Sequence, residues 1–321
     1  MNTLIGTQRR YLSLKACQSG LSLVELMISI TLGLLIMVGV LQLYATSNVN
    51  ARTSQGASRI QENIRYAMTR IGDDIAQAGN IKCAKGTAIT GMLGAGNADG
   101  VTVGNWDDFD DSYVSGIDNT DDGDDPLTDA DRLIVKYVDY SEPYTIANAA
   151  ATTINLAPAP APAITLAAGD TVAAGNCRRM AIFVTAAAVV NGTTVTSPAN
   201  HALDLTNASG FLYAGNTGAY TYSIGNSASG ACAVGTLENC SLYRGKNGVF
   251  PGDELVQGVH GLQVMYGTEA GGTVGYVVAP APPASFKSVD RVQVTLTFNG
   301  VDGALSLDKQ VTRVFAIRTA W

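Results

Sequence analysis

The residue with the most pointed chemistry is a lone carboxylate. Glu25 sits in LSLVELMISITLGLLIMVGVLQLYA, Leu21 to Ala45, and no further charge follows it until Arg52. A carboxylate one turn inside so apolar a segment costs on the order of several kcal/mol unless a cation or donors meet it, so it marks a function. Ahead of it, residues 1–20 carry three cations (Arg9, Arg10 and Lys15) and no acid. Histidine chemistry has little to draw on, because His201 and His260 are the only two. His260 falls in a strand pattern and His201 in a predicted loop. No G-x-x-x-x-G-K-[ST], H-E-x-x-H, G-x-S-x-G or dinucleotide fingerprint occurs, so the expectation is a protein that is not an enzyme.

A second group of residues could hold a metal. The segment from Asp107 to Asp131 contains 11 Asp and no Lys or Arg. Within it Asp118, Thr120, Asp122 and Asp129 occupy positions 1, 3, 5 and 12 of an EF-hand-like loop, with Gly123 at the turn position. All the donors are oxygens, which suits Ca²⁺. Against a site stand Asp129 in place of the bidentate Glu, Pro126 at the ninth position, and no flanking helices in the sequence pattern. A solvated acidic loop accounts for the same residues, and no cofactor other than this optional Ca²⁺ is expected.

These residues need elements to place them. Leu26 to Ala45, about 20 residues at 1.5 Å each, spans a bilayer core of roughly 30 Å. Cations before the run leave the N-terminus cytoplasmic and the rest outside. A cleaved signal peptide has an apolar core of only about 7–15 residues and a small-residue site, which does not fit here. Beyond the span, Ile60, Ile64, Met68 with Ala67, Ile71, Ile75 and Ala78 form an apolar stripe at helical spacing. Arg59, Gln61, Glu62, Arg65, Arg70, Asp73 and Asp74 are assigned to the opposite, solvated face. No Pro precedes Pro126, so one helix from about Leu21 to Ala78 is predicted, capped at Gly79-Asn80. The remainder reads as strands at 131–140, 179–187, 254–267, 288–298 and 310–319. Loops are predicted at 86–105 and 207–235, and polyproline segments at 157–163 and 279–284.

Gly20-Leu21-Ser22-Leu23-Val24-Glu25-Leu26 resembles the type IV prepilin motif, with its basic leader, its Gly at the cut site and its Glu five residues into the mature chain. The resemblance implies cleavage between Gly20 and Leu21 by prepilin peptidase and N-methylation of Leu21. It also implies a role for Glu25 in assembly, pairing with a neighbour's new N-terminus. Leu21 where many members carry Phe or Met, and a first helix without Pro, point away from a major pilin. The runs GVHGLQVMYG, FKSVDRVQVTLTF and TRVFAIRTAW are similar to the C-terminal pattern of PilW-type minor pilins. The implied fold is α+β and pilin-like, with a long N-terminal helix packed on an antiparallel β-sheet head. The implied divisions are a leader (1–20), a membrane and assembly helix (21–50), its amphipathic half (51–79) and a periplasmic head (80–321). The implied partners are prepilin peptidase, other minor pilins, the major pilin, the inner-membrane assembly platform, membrane lipid and a larger tip adhesin. The implied place is the inner membrane and then the pilus fibre or tip. A minor pseudopilin of type II secretion, or a pilin-anchored Ca²⁺-dependent adhesion module, shares most of these features.

Removal of the leader takes Cys17 with it and leaves Cys83, Cys177, Cys232 and Cys240. Four cysteines in an oxidising compartment allow three pairings. Cys232–Cys240, closing a short Gly-rich loop, with Cys83–Cys177, is the favoured set. The formal charge of −7 is concentrated: residues 107–131 supply −11, and the rest of the chain after residue 20 sums to +1. So acidic a protein offers no phosphate-binding stripe, and no nucleic-acid partner is expected.

Overall fold

The computed structural model describes residues 20, 22–80, 88–92, 113–118, 130–138, 143–157, 164–176, 178–197, 203, 205, 210–214, 217–233, 235–247, 252–278, 286–299 and 309–318. Leucine, isoleucine, methionine and alanine dominate the N-terminal region, and the uninterrupted helix that they favour forms as α1, Leu23–Gln77. It ends as its sequence asks. Gly79 adopts φ 68°, a left-handed turn open to glycine, and its N–H donates to the Lys136 carbonyl at 2.9 Å. The chain divides into two compact units between Gln55 and Gly56.

In the N-terminal unit the apolar side chains from Leu23 to Tyr44 are exposed, Leu23 at 76% and Leu43 at 73%. This is the one described helix long and apolar enough to cross a membrane. Its hydroxyls suit such a span: Ser29, Thr31 and Thr46 donate to the carbonyls of Glu25, Ile28 and Gln42. These three hydroxyls are thereby satisfied within the helix, as a hydrocarbon solvent requires.

The second unit contains the strands. In chain order they are β1 (Ala88–Met92), β2 (Val114–Ile117), β3 (Arg132–Tyr137), β4 (Tyr144–Ala150), β5 (Thr153–Leu156) and β6 (Ile164–Leu166). There follow β7 (Thr171–Gly175), β8 (Arg179–Val184), β9 (Val189–Gly192), β10 (Thr194–Thr196), β11 (Gly210–Tyr213) and β12 (Gly218–Asn226). The last are β13 (Cys240–Lys246), β14 (Asp253–Gln257), β15 (Val259–Ala270), β16 (Thr273–Val278), β17 (Arg291–Phe298) and β18 (Lys309–Ala316). They form a five-stranded sheet, β14-β13-β12-β3-β2, and a four-stranded sheet, β16-β15-β17-β18. A seven-stranded sheet, β1-β8-β7-β11-β4-β5-β10, and the pair β6-β9 complete the set.

Two separate cores result. The five- and four-stranded sheets enclose the stripe Ile60, Ile64, Met68, Ile71 and Ile75 of α1, with Ala67 between them and Ala78 just past the helix end. Each of these large side chains, fully buried, contributes about 1.5–3 kcal/mol. The predicted alternation of β17 holds, with Val292, Val294, Leu296 and Phe298 inward. The second core joins Ile146, Ile154, Leu166, Val172, Phe183 and Leu212 of the seven-stranded sheet and the β6-β9 pair to their neighbours. It contains no residue of α1.

Several expectations need correction. The predicted loops at 86–105 and 207–235 contain β1, β11 and β12. β12, GAYTYSIGN, is buried on both faces up to its last residue, so it shows no alternation to read. The predicted strand at 254–267 is two strands broken at Gly258, whose φ is 78°. The α+β, pilin-like plan of a long helix with an antiparallel β head holds, the head being built of several sheets with a parallel pairing at β1–β8. The acidic stretch is not one loop either. β2 runs inside it, and Asp131 is buried, its carboxylate accepting the Val264 N–H at 2.7 Å.

Candidate processing and assembly site

In the N-terminal unit Gly20 and Ser22 precede α1, and the Ser22 carbonyl accepts the first helical hydrogen bond, from Leu26 N–H at 3.1 Å. Ser22 is thus the N-cap, and Ser22-x-x-Glu25 has the residue types of a capping box. Glu25 lies in the first turn, exposed, where the helix dipole favours negative charge. The arrangement presents one carboxylate in the first turn of a helix whose apolar side chains from Leu23 to Tyr44 are exposed. Leu21 lies outside the described residues.

The second unit holds the amphipathic half of α1 by a polar knot that the sequence reading misplaced. Asp74, assigned to the solvated face, is fully buried. Its Oδ2 accepts from Arg244 Nε at 2.7 Å and from the Tyr222 hydroxyl at 2.7 Å, and its Oδ1 accepts from the Tyr137 hydroxyl at 3.1 Å. Arg244 also donates from Nη2 to Tyr137 Oη at 3.1 Å and lies 3.5 Å above the Tyr220 ring. Tyr220 in turn stacks on Tyr137, with centroids 5.0 Å apart. The knot ties α1 to β3, β12 and β13. Burial, and then the Asp74 charge, push the Tyr137 and Tyr222 hydroxyls above their usual range. Both therefore remain donors at any physiological pH. The signal was present in the spacing: Ile71, Asp74, Ile75 and Ala78 follow an i, i+3, i+4, i+7 pattern, so Asp74 belongs to the inward stripe.

Cys232 and Cys240 form a disulfide that staples the β12–β13 connection, where Ser227 N–H also donates to the Asn239 carbonyl at 2.7 Å. Cys83 and Cys177 lie outside the described residues. Of the Ca²⁺ candidates, Asp118 follows β2 and is half-buried, while Thr120, Asp122 and Asp129 lie outside the described residues. His260 is half-buried on β15.

Residues 15–41 match the family described as the prokaryotic N-terminal methylation motif. No curated protein and no solved structure matches the chain. With the apolar helix that follows, the motif supports a type IV pilin-like protein, a pilin or pseudopilin. That class is structural. Its members are processed by prepilin peptidase, anchored by the N-terminal helix with the head in the periplasm, and assembled with other pilins.

Proposed function

We propose that the chain is a PilW-like minor pilin that takes part in priming type IV pilus assembly and resides at or near the pilus tip. Prepilin peptidase cuts between Gly20 and Leu21 and methylates the new amine. The Glu25 carboxylate of an incoming subunit then meets the N-terminal amine of a neighbouring pilin inside the apolar bundle. Either charge alone in that medium is costly, and breaking such a pair costs about 3–5 kcal/mol, so the pair sets the axial register. Its partners are the other minor pilins, the major pilin and the inner-membrane assembly platform, and a larger tip adhesin is a further one. One observation carries the reading: a lone acid in the first turn heads an apolar half-helix whose side chains are all exposed.

Deletion of the protein is expected to abolish surface pili, and wild-type protein to restore them. Glu25→Ala is expected to insert and be cleaved normally yet fail to restore piliation. Pili that persist after deletion contradict the priming role. If protein secretion is lost in that strain, the protein is a pseudopilin; if only attachment is lost, it is an adhesion module.

A further inference from the structure

The connectivity of the head carries an inference about what assembly requires. β3 and β12 are antiparallel neighbours, with Tyr137 opposite Gly218 and Leu133 opposite Tyr222. Between them in the chain lie β4 to β11, so a long segment leaves the end of one strand and returns to its partner. A hairpin turn of two residues would close the same pair. The segment has its own apolar core, built from residues such as Ile146, Phe183 and Leu212, which shares no residue with the core around α1. Among the described residues no strand of this segment pairs with a strand of the five- or four-stranded sheets. The side chains that hold α1, Tyr137, Tyr222, Arg244 and Phe315, all belong to those two sheets. A polar contact joining the two parts is Asn247, which donates from Nδ2 to Thr171 Oγ1 while its Oδ1 accepts the Ala219 N–H.

We propose that residues 139–216 are a displayed module dispensable for incorporation: the two sheets around α1 suffice to place the subunit in the fibre, and the insertion serves something other than assembly. This rests on the pilus reading above.

The test is made in the full-length chain, in cells. Val138 is joined to Thr217 through an Asn-Gly turn, with Cys83→Ser because Cys177 leaves with the module. Ile89→Thr and Met92→Thr accompany it because β1 loses its partner β8. The shortened protein is expected to be cleaved, to form the Cys232–Cys240 disulfide and to appear in sheared fibres at the wild-type level. A shortened protein that is cleaved and disulfide-bonded yet absent from fibres that contain the wild type overturns the proposal. Absence of the wild type itself from fibres is a different failure, that of the pilus reading. A point variant covers the case in which the shortened chain is degraded. Phe183→Ala in the full-length protein in detergent is expected to raise amide exchange within 143–214 and to leave 217–247 and 291–316 unchanged, with incorporation intact. Exchange that rises in both parts, or loss of incorporation, overturns the proposal.

Discussion

At the scale of single residues two carboxylates have opposite circumstances. Glu25 is exposed on its apolar half-helix, and on the proposed reading it meets a cation only when the helix enters a bundle. Asp74 already has its cation and two hydroxyls. Removing one side of a buried pair strands the other, so Asp74→Ala is expected to destabilise the head by about 3–5 kcal/mol in denaturant unfolding, far more than Asp73→Ala beside it. The tyrosines give a pH prediction. Burial and the Asp74 charge raise their folded hydroxyl pKa above the ordinary tyrosine value of about 10. That contribution is complete below the unfolded value and is lost as pH rises beyond it, because only the unfolded chain ionises readily. Stability is therefore expected to fall above about pH 10, with a shallower fall in Tyr137→Phe and Tyr222→Phe. Equal alkaline slopes in the wild type and both variants would contradict the knot. At the acid end, the Arg291 guanidinium holds the Asp290 carboxyl below its usual range. That contribution is present above the unfolded carboxylate pKa and is lost as pH falls through the folded one.

At the scale of elements, α1 is fitted to the four-stranded sheet at Gly72. A Cβ there would lie 2.5 Å from the Phe315 ring of β18. Glycine inside a helix costs about 0.5–1 kcal/mol relative to Ala, yet here it admits the aromatic ring. Gly72→Val is expected to lower stability by about 1–3 kcal/mol through overpacking, and Phe315→Leu to recover part of it in a double variant. The disulfide closes a short loop, and Cys232→Ser is expected to cost about 2–3 kcal/mol, read as a lower melting temperature. The helix and β17 were legible in the sequence because each buries one face, so periods of 3.6 and 2 show through. β12 was not, since both of its faces are buried and Tyr, Ser and Gly take the place of branched residues. The short strands β6, β9 and β10 were not legible either. They are held by pairing with strands distant in sequence, which no local pattern encodes. The N-terminal methylation motif was readable because its meaning lies in residue order. The Arg244 half of the knot was hidden, because only folding brings β13 to α1.

At the scale of the whole molecule, composition alone suggested an acidic protein, but its charge is local. The acidic stretch does not behave as one loop: it contains β2, and Asp131 within it is a structural acceptor in the core. The remaining chain is an apolar half-helix, an amphipathic half-helix clamped between two sheets, and an inserted β module with its own core. On the proposed reading the two half-helices belong to a protein that leaves the membrane by joining a helical bundle, while the inserted module serves another purpose. That account depends on the processing step, because only cleavage after Gly20 creates an amine for a Glu25 carboxylate to meet. The mass and first residue of the protein purified from membranes of its native host test this most directly. The expected product lacks residues 1–20 and begins at Leu21 with one added methyl group on its amine. A product that retains the leader, or one cut beyond the apolar run, contradicts the account.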